Sequence, residues 1–113
     1  MRLAAVALAA LALAVPSRTP ARLGVTAREF GFTLSRLSVK QGPIVIELQN
    51  FGEDVHDLRL QRVGGTRTYA LPETRSGDHT ELEARLAPGR YRIWCAVGDH
   101  AERGMTATLV VRR

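Results

Sequence analysis

From Val25 onward the chain alternates apolar and polar residues in short runs, and glycine, proline and asparagine separate the runs. A period of two marks half-buried strands, because successive side chains on a strand point to opposite faces. No stretch keeps a 3.6-residue period for more than two turns, so helix is scarce. Val25 to Leu34 reads as a first strand with a bulge at Gly31, and Leu37 to Lys40 as a second. Gln41-Gly42-Pro43 makes a turn into Ile44 to Leu48, which Asn50 and Gly52 end. His56 to Arg62, His79 to Leu86, Arg90 to Cys95 and Met105 to Val111 supply four more strands. Between Val63 and Asp78 the chain is rich in Gly, Thr and Arg and apolar only at Tyr69, Ala70 and Leu71, which predicts a variable crossover. The whole predicts an all-β fold, a two-sheet antiparallel Greek-key sandwich of about seven to eight strands.

The alternation also assigns faces. Leu58 and Leu60 face the core. Tyr91, Ile93 and Cys95 share one side of their strand, and Arg92 marks the other side as wet, with Trp94 beside it.

The first residues change the picture. Met1-Arg2 precedes thirteen apolar residues, Leu3 to Val15, and small residues follow at Thr19 and Ala21, an alternative to Ala12 and Ala14. That is the pattern of a secretory signal peptide. Its apolar run is shorter than the roughly 20 residues a membrane helix needs, so no permanent membrane span is expected. Residues 1–21 are therefore expected to be removed, leaving residues 22–113 as one exported domain, periplasmic or extracellular and monomeric. Their removal takes away Arg2 and Arg18 and lowers the formal charge from +5 to +3. The arginines are scattered and no aromatic pattern interleaves them, which argues against a nucleic-acid partner.

A lone cysteine, Cys95, cannot form an internal disulfide in an oxidising compartment, and metal ligation would protect it. It stands in Cys95-Ala96-Val97-Gly98-Asp99-His100-Ala101-Glu102-Arg103-Gly104-Met105, where one strand ends and the next begins. A thiolate, an imidazole and a thioether in Cys-x4-His-x4-Met spacing form a soft donor set that suits copper. Two histidines, one cysteine and a weak axial methionine describe an electron-transfer copper site. The second histidine is His56, in Asn50-Phe51-Gly52-Glu53-Asp54-Val55-His56. His56, Cys95, His100 and Met105 are the candidate ligands of one copper ion. His79, beside Asp78, is expected to be exposed, and Glu53, Asp54 and Glu73 to be surface charges.

On these residues the chain resembles the cupredoxins, the small blue-copper proteins. The likeness spans roughly Val25 to Val111, and it includes Leu86-Ala87-Pro88-Gly89-Arg90-Tyr91, similar to the family's Leu-x-Pro-Gly-x-Tyr approach to the cysteine strand. The resemblance implies a rigid site that suits both copper oxidation states. It also implies an exit for electrons through the solvent-facing edge of His100, among Val97, Ala101 and Phe51, with Trp94 as a second route. Two positions depart from the family pattern: Asp99 stands where relatives with this loop length usually carry Gly, and Asp57 where many carry an Asn that ties the two ligand loops together.

The expected function is single-electron transfer between redox partners such as a c-type cytochrome or a membrane-bound oxidoreductase. The alternative is copper storage or delivery without an electron-transfer role, although the methionine-rich tracts of a copper carrier are absent: Met1 and Met105 are the only methionines. Enzymatic activity is not expected. No nucleophile lies in a recognisable elbow, three histidines are too few for a multicopper oxidase, and a binuclear centre needs two cysteines.

Overall fold

A computed structural model describes residues 2–7, 9 and 19–113. Most of the expected signal segment, including residues 10–18, lies outside the described residues. Ala21, the last residue of that expected segment, is the first residue of the first strand and pairs with Ile44.

Among the described residues there are nine strands and no helix: β1 (Ala21–Arg28), β2 (Gly31–Leu34), β3 (Ser38–Lys40), β4 (Gly42–Asn50), β5 (His56–Arg62), β6 (Thr68–Thr74), β7 (His79–Leu86), β8 (Gly89–Trp94) and β9 (Thr106–Arg112). They form a four-stranded sheet in the order β2-β1-β4-β7 and a five-stranded sheet in the order β3-β9-β8-β5-β6. The sandwich is as expected, but its sheets are mixed. β1 pairs with β4 in parallel, Ala21 opposite Ile44, and β3 pairs with β9 in parallel, Val39 opposite Val111. Alternation fixes which face of a strand is buried and leaves the direction of its neighbour open.

Three further differences have local causes. Gly31 marks a hairpin rather than a bulge: Arg28 pairs with Gly31 and the chain reverses at Glu29-Phe30. The turn before β4 shrinks to Gln41, because Gly42 (φ 109°) already belongs to the strand. The expected crossover contains β6, an edge strand with only Leu71 and Thr74 buried and Pro72 within it. An edge strand tolerates proline, since one side of its backbone has no ladder to complete, and its pattern is correspondingly polar.

β4 lies between β1 and β7 and buries Ile44, Val45 and Ile46 in succession. Its neighbour β7 forms a sheet edge with His79, Glu81, Glu83 and Arg85 exposed, a charged rim that discourages further strand pairing. Leu23 and Val25 of β1, Leu58 and Leu60 of β5, Ile93 of β8 and Leu109 of β9 meet in the core. Each such side chain, fully withdrawn from water, contributes on the order of 2 kcal/mol. The packed sheets leave the β1–β2 turn, the β4–β5 loop, the β6–β7 turn and the β8–β9 loop at one end of the sandwich.

Candidate metal centre

The β4–β5 loop is built on Asn50, the last residue of β4 and 1% exposed. Its Nδ2 donates to the carbonyls of Asp54 (2.7 Å) and Thr74 (2.9 Å), and its Oδ1 accepts the Gly52 N–H at 2.8 Å. One amide therefore satisfies three backbone groups and holds the short loop closed. Ser76 Oγ adds a bond to the Gly52 carbonyl at 2.6 Å. The loop delivers His56 to the first position of β5, where it is fully buried.

The β8–β9 loop is held by its own backbone. Cys95 follows the last residue of β8, and its N–H donates to the Met105 carbonyl at 3.2 Å, clamping the loop at its two ends. Inside, the N–H groups of His100, Arg103 and Gly104 donate to the carbonyls of Val97, Asp99 and Ala101, each at 3.1 Å. Gly98 (φ 48°) and Gly104 (φ 109°) take backbone conformations that disfavour other residues.

These two loops bring three of the expected residues to one point. The Nδ1 atoms of His56 and His100 lie 3.2 Å apart, and Cys95 Sγ lies 3.6 Å from His100 Nδ1. All three ligand atoms are within 4.8 Å of one another and buried. Met105 is fully buried in the same hydrophobic cluster as Cys95. Burial pushes the Cys95 thiol up, and the backbone N–H groups of Asp57 and Val97 act against it. Binding a metal there would displace the thiol proton.

No protein-family profile matches the chain, and no curated protein matches it in sequence. Solved structures match it in shape. A dithionite-reduced auracyanin from Roseiflexus castenholzii superposes with a TM-score of 0.69 at 13% identity, covering 85% of this chain and 100% of the other. Auracyanin A from Chloroflexus aurantiacus, a "blue" copper protein, gives 0.69 at 17% identity, covering 83% and 100%. A purple cupredoxin from Nitrosopumilus maritimus gives 0.57 at 18% identity, covering 81% and 99%. This chain has the cupredoxin fold.

On this cupredoxin sandwich the outer nitrogen of each imidazole faces a carboxylate. His56 Nε2 lies 3.0 Å from Glu29 Oε1, in the β1–β2 turn. The same oxygen accepts the N–H groups of Asp54 (2.6 Å) and Glu53 (2.7 Å). The Asp54 N–H foremost, with those of Glu29 and Glu53 and with His56, lowers the Glu29 carboxyl to about 2 against the opposing effect of burial, so it is ionised at neutral pH. His100 Nε2 lies 3.5 Å from Asp54 Oδ2, at the long end for an ion pair. Asp54 is thus exposed, as expected, yet reaches a candidate ligand.

Two other expectations are revised. His100 is only 7% exposed, with the Phe30 ring tilted against it at 4.9 Å between centroids and Arg103 over that ring. Asp57 is buried, although strict alternation turns it away from the face of Leu58 and Leu60. A register shift between His56 and Leu58 in the β5–β6 ladder lets three successive residues turn inward. Asp57 Oδ1 then accepts the Ala96 N–H at 2.7 Å, joining the two ligand loops. The link ascribed to Asn in related chains is made here by a carboxylate. Trp94 is half-buried with Arg92 stacked 5.1 Å from its ring centre, and His79 is exposed.

Glu29 carries no motif in the sequence. An acidic residue at the reversal of a hairpin has no reason of its own to meet a histidine 27 positions later. The nearest signal is Gly52: a Cβ there would lie 2.5 Å from both carboxylate oxygens of Glu29.

Proposed function

We propose that this chain is an exported mononuclear type 1 copper protein that carries single electrons between redox partners. Its ligands are His56, Cys95, His100 and Met105. The observation that carries this reading is the meeting of one sulfur and two Nδ1 atoms within 4.8 Å in a buried place. Two imidazole nitrogens 3.2 Å apart, whose outer nitrogens both face carboxylates, direct electron density into one small volume, which suits a cation. Thiolate, imidazole and thioether donors select copper over harder metals, and copper bound there supplies a one-electron couple.

The chain's own residues support transfer over delivery. Cys95, His56 and Met105 are each fully buried, and the tie from Asp57 to Ala96 fixes the two loops against each other. Handing a metal to another protein would require opening that structure. Electrons need only approach it. Phe51 is 56% exposed, and Val97 and Ala101 are half-buried in the loop that carries His100, a small apolar surface suited to brief docking with a c-type cytochrome or a membrane-bound oxidoreductase. The apolar run Leu3 to Val15 supports removal of residues 1–21 on export, to the periplasm or beyond. Among the described residues no helix is long and apolar enough to cross a membrane.

Absorption and EPR spectra of the protein titrated with Cu(II) test the proposal. An intense visible thiolate-to-Cu(II) band is expected in the wild type and its complete loss in Cys95→Ser. A band that survives that substitution overturns the site.

A further inference from the structure

Resting on the copper reading above, we infer that Glu29 is the positioning residue for His56: its carboxylate holds the imidazole with the proton on Nε2 and leaves the Nδ1 lone pair for the metal, while adding a negative charge behind the ligand. The arrangement is built on three sides. Oε1 lies 3.0 Å from Nε2 and is itself fixed by the N–H groups of Glu53 and Asp54, residues of the loop that ends in His56. The carboxylate is therefore aimed by the same segment it orients. Gly52 supplies the space, since any side chain there would collide with both oxygens. The acid is 28% exposed while the imidazole it touches is fully buried, so the contact crosses from the rim into the site.

A ligating imidazole whose outer N–H is given to a carboxylate has a fixed tautomer, a fixed ring plane and a more basic donor nitrogen. Loss of such a partner weakens metal binding by about 10–100-fold. The charge adds a second effect: an anion near the metal stabilises the oxidised, more positive state, so Glu29 lowers the reduction potential.

Two variants separate position from charge. Glu29→Gln keeps an acceptor oxygen and removes the charge. Gly52→Ala keeps the charge and pushes the carboxylate away from Nε2. Long-range ¹H–¹⁵N correlation spectra of the metal-free protein should show His56 protonated on Nε2 in wild type and Glu29→Gln, and a mixture of tautomers in Gly52→Ala. Zn(II) affinity should fall about tenfold or more in both variants. In Glu29→Gln, Cu(II) should weaken about tenfold relative to Cu(I), an upward shift in potential of about 59 mV. Should Gly52→Ala fail to fold, Glu29→Gln alone decides.

Wild-type His56 protonated on Nδ1 in the metal-free protein, or a Glu29→Gln protein with unchanged Zn(II) affinity and potential, overturns the assignment and reduces Glu29 to a staple for the 52–54 loop. A wild-type protein that shows no thiolate-to-Cu(II) band overturns the copper reading instead, and the tautomer and Zn(II) measurements still judge Glu29.

Discussion

The two loops that meet at the centre are stabilised in opposite ways. The β4–β5 loop is held from outside, by the amide of Asn50, the hydroxyl of Ser76 and the carboxylate of Glu29. The β8–β9 loop is held from within, by tight backbone turns and by glycines at Gly98 and Gly104. The first loop presents one candidate ligand at a strand start and needs side chains to aim it. The second carries three, Cys95 and Met105 at its two ends and His100 between them, and needs the spacing of its own backbone. Precision of placement thus comes from a polar network on one side and from chain geometry on the other.

If that contrast holds, Asn50→Ala should be the most damaging change outside the ligands. It strips a buried amide that serves two carbonyls and one N–H, and on the order of 3 kcal/mol of stability should go, at about 1 kcal/mol per lost bond. Denaturant unfolding measures it, and a loss under about 1 kcal/mol would show that the loop holds itself. The opposing loop should respond to backbone strain. Gly104→Ala meets only the Phe30 carbonyl, at 3.7 Å, so space is adequate, but φ of +109° should cost roughly 1–3 kcal/mol. A neutral result would mean the turn relaxes freely.

Charge changes probe the junction of the two loops. Asp57→Asn keeps the oxygen that accepts the Ala96 N–H and removes a buried charge, so stability should change little while the potential rises. At roughly 8 Å and an effective dielectric near 20 the interaction is about 2 kcal/mol, or on the order of 90 mV for one electron. Asp99→Asn should do least. Asp99 is 54% exposed and bonded by the Arg103 guanidinium at 2.8 Å, which holds its carboxyl below the usual range, so solvent and countercharge leave a shift below about 20 mV. Voltammetry of both variants at low and high salt ranks them, and an Asp99 effect equal to that of Asp57 would refute the ranking.

Much of the site was legible because its donors obey spacing. His56 and Cys95 are marked by residue type and by their places at strand ends, His100 by its offset from Cys95, and both β5 and β7 begin and end where alternation puts them. What was not legible depends on relations between segments. The burial of Asp57 follows from a register shift against β6, a strand whose edge position dilutes its apolar signal. Glu29 meets His56 only because the β1–β2 hairpin lies beside the end of β4, with Phe51 N–H bonded to the Ala27 carbonyl at 3.0 Å. The parallel pairings are likewise invisible to a pattern that repeats every two residues.

The parallel ladder between β3 and β9 bears on the order in which the chain folds. Val39 finds Val111 only after nearly the whole domain has been made, and Ala21 on β1 must wait for Ile44 on β4. Long-range pairings of this kind carry a large loop-closure entropy before any contact rewards it, which slows folding to roughly milliseconds to seconds. Until β9 is in place the Cys95 N–H has no Met105 carbonyl to meet, and the thiol has no roof. The sulfur that the finished sandwich hides completely is therefore uncovered until the last strand arrives.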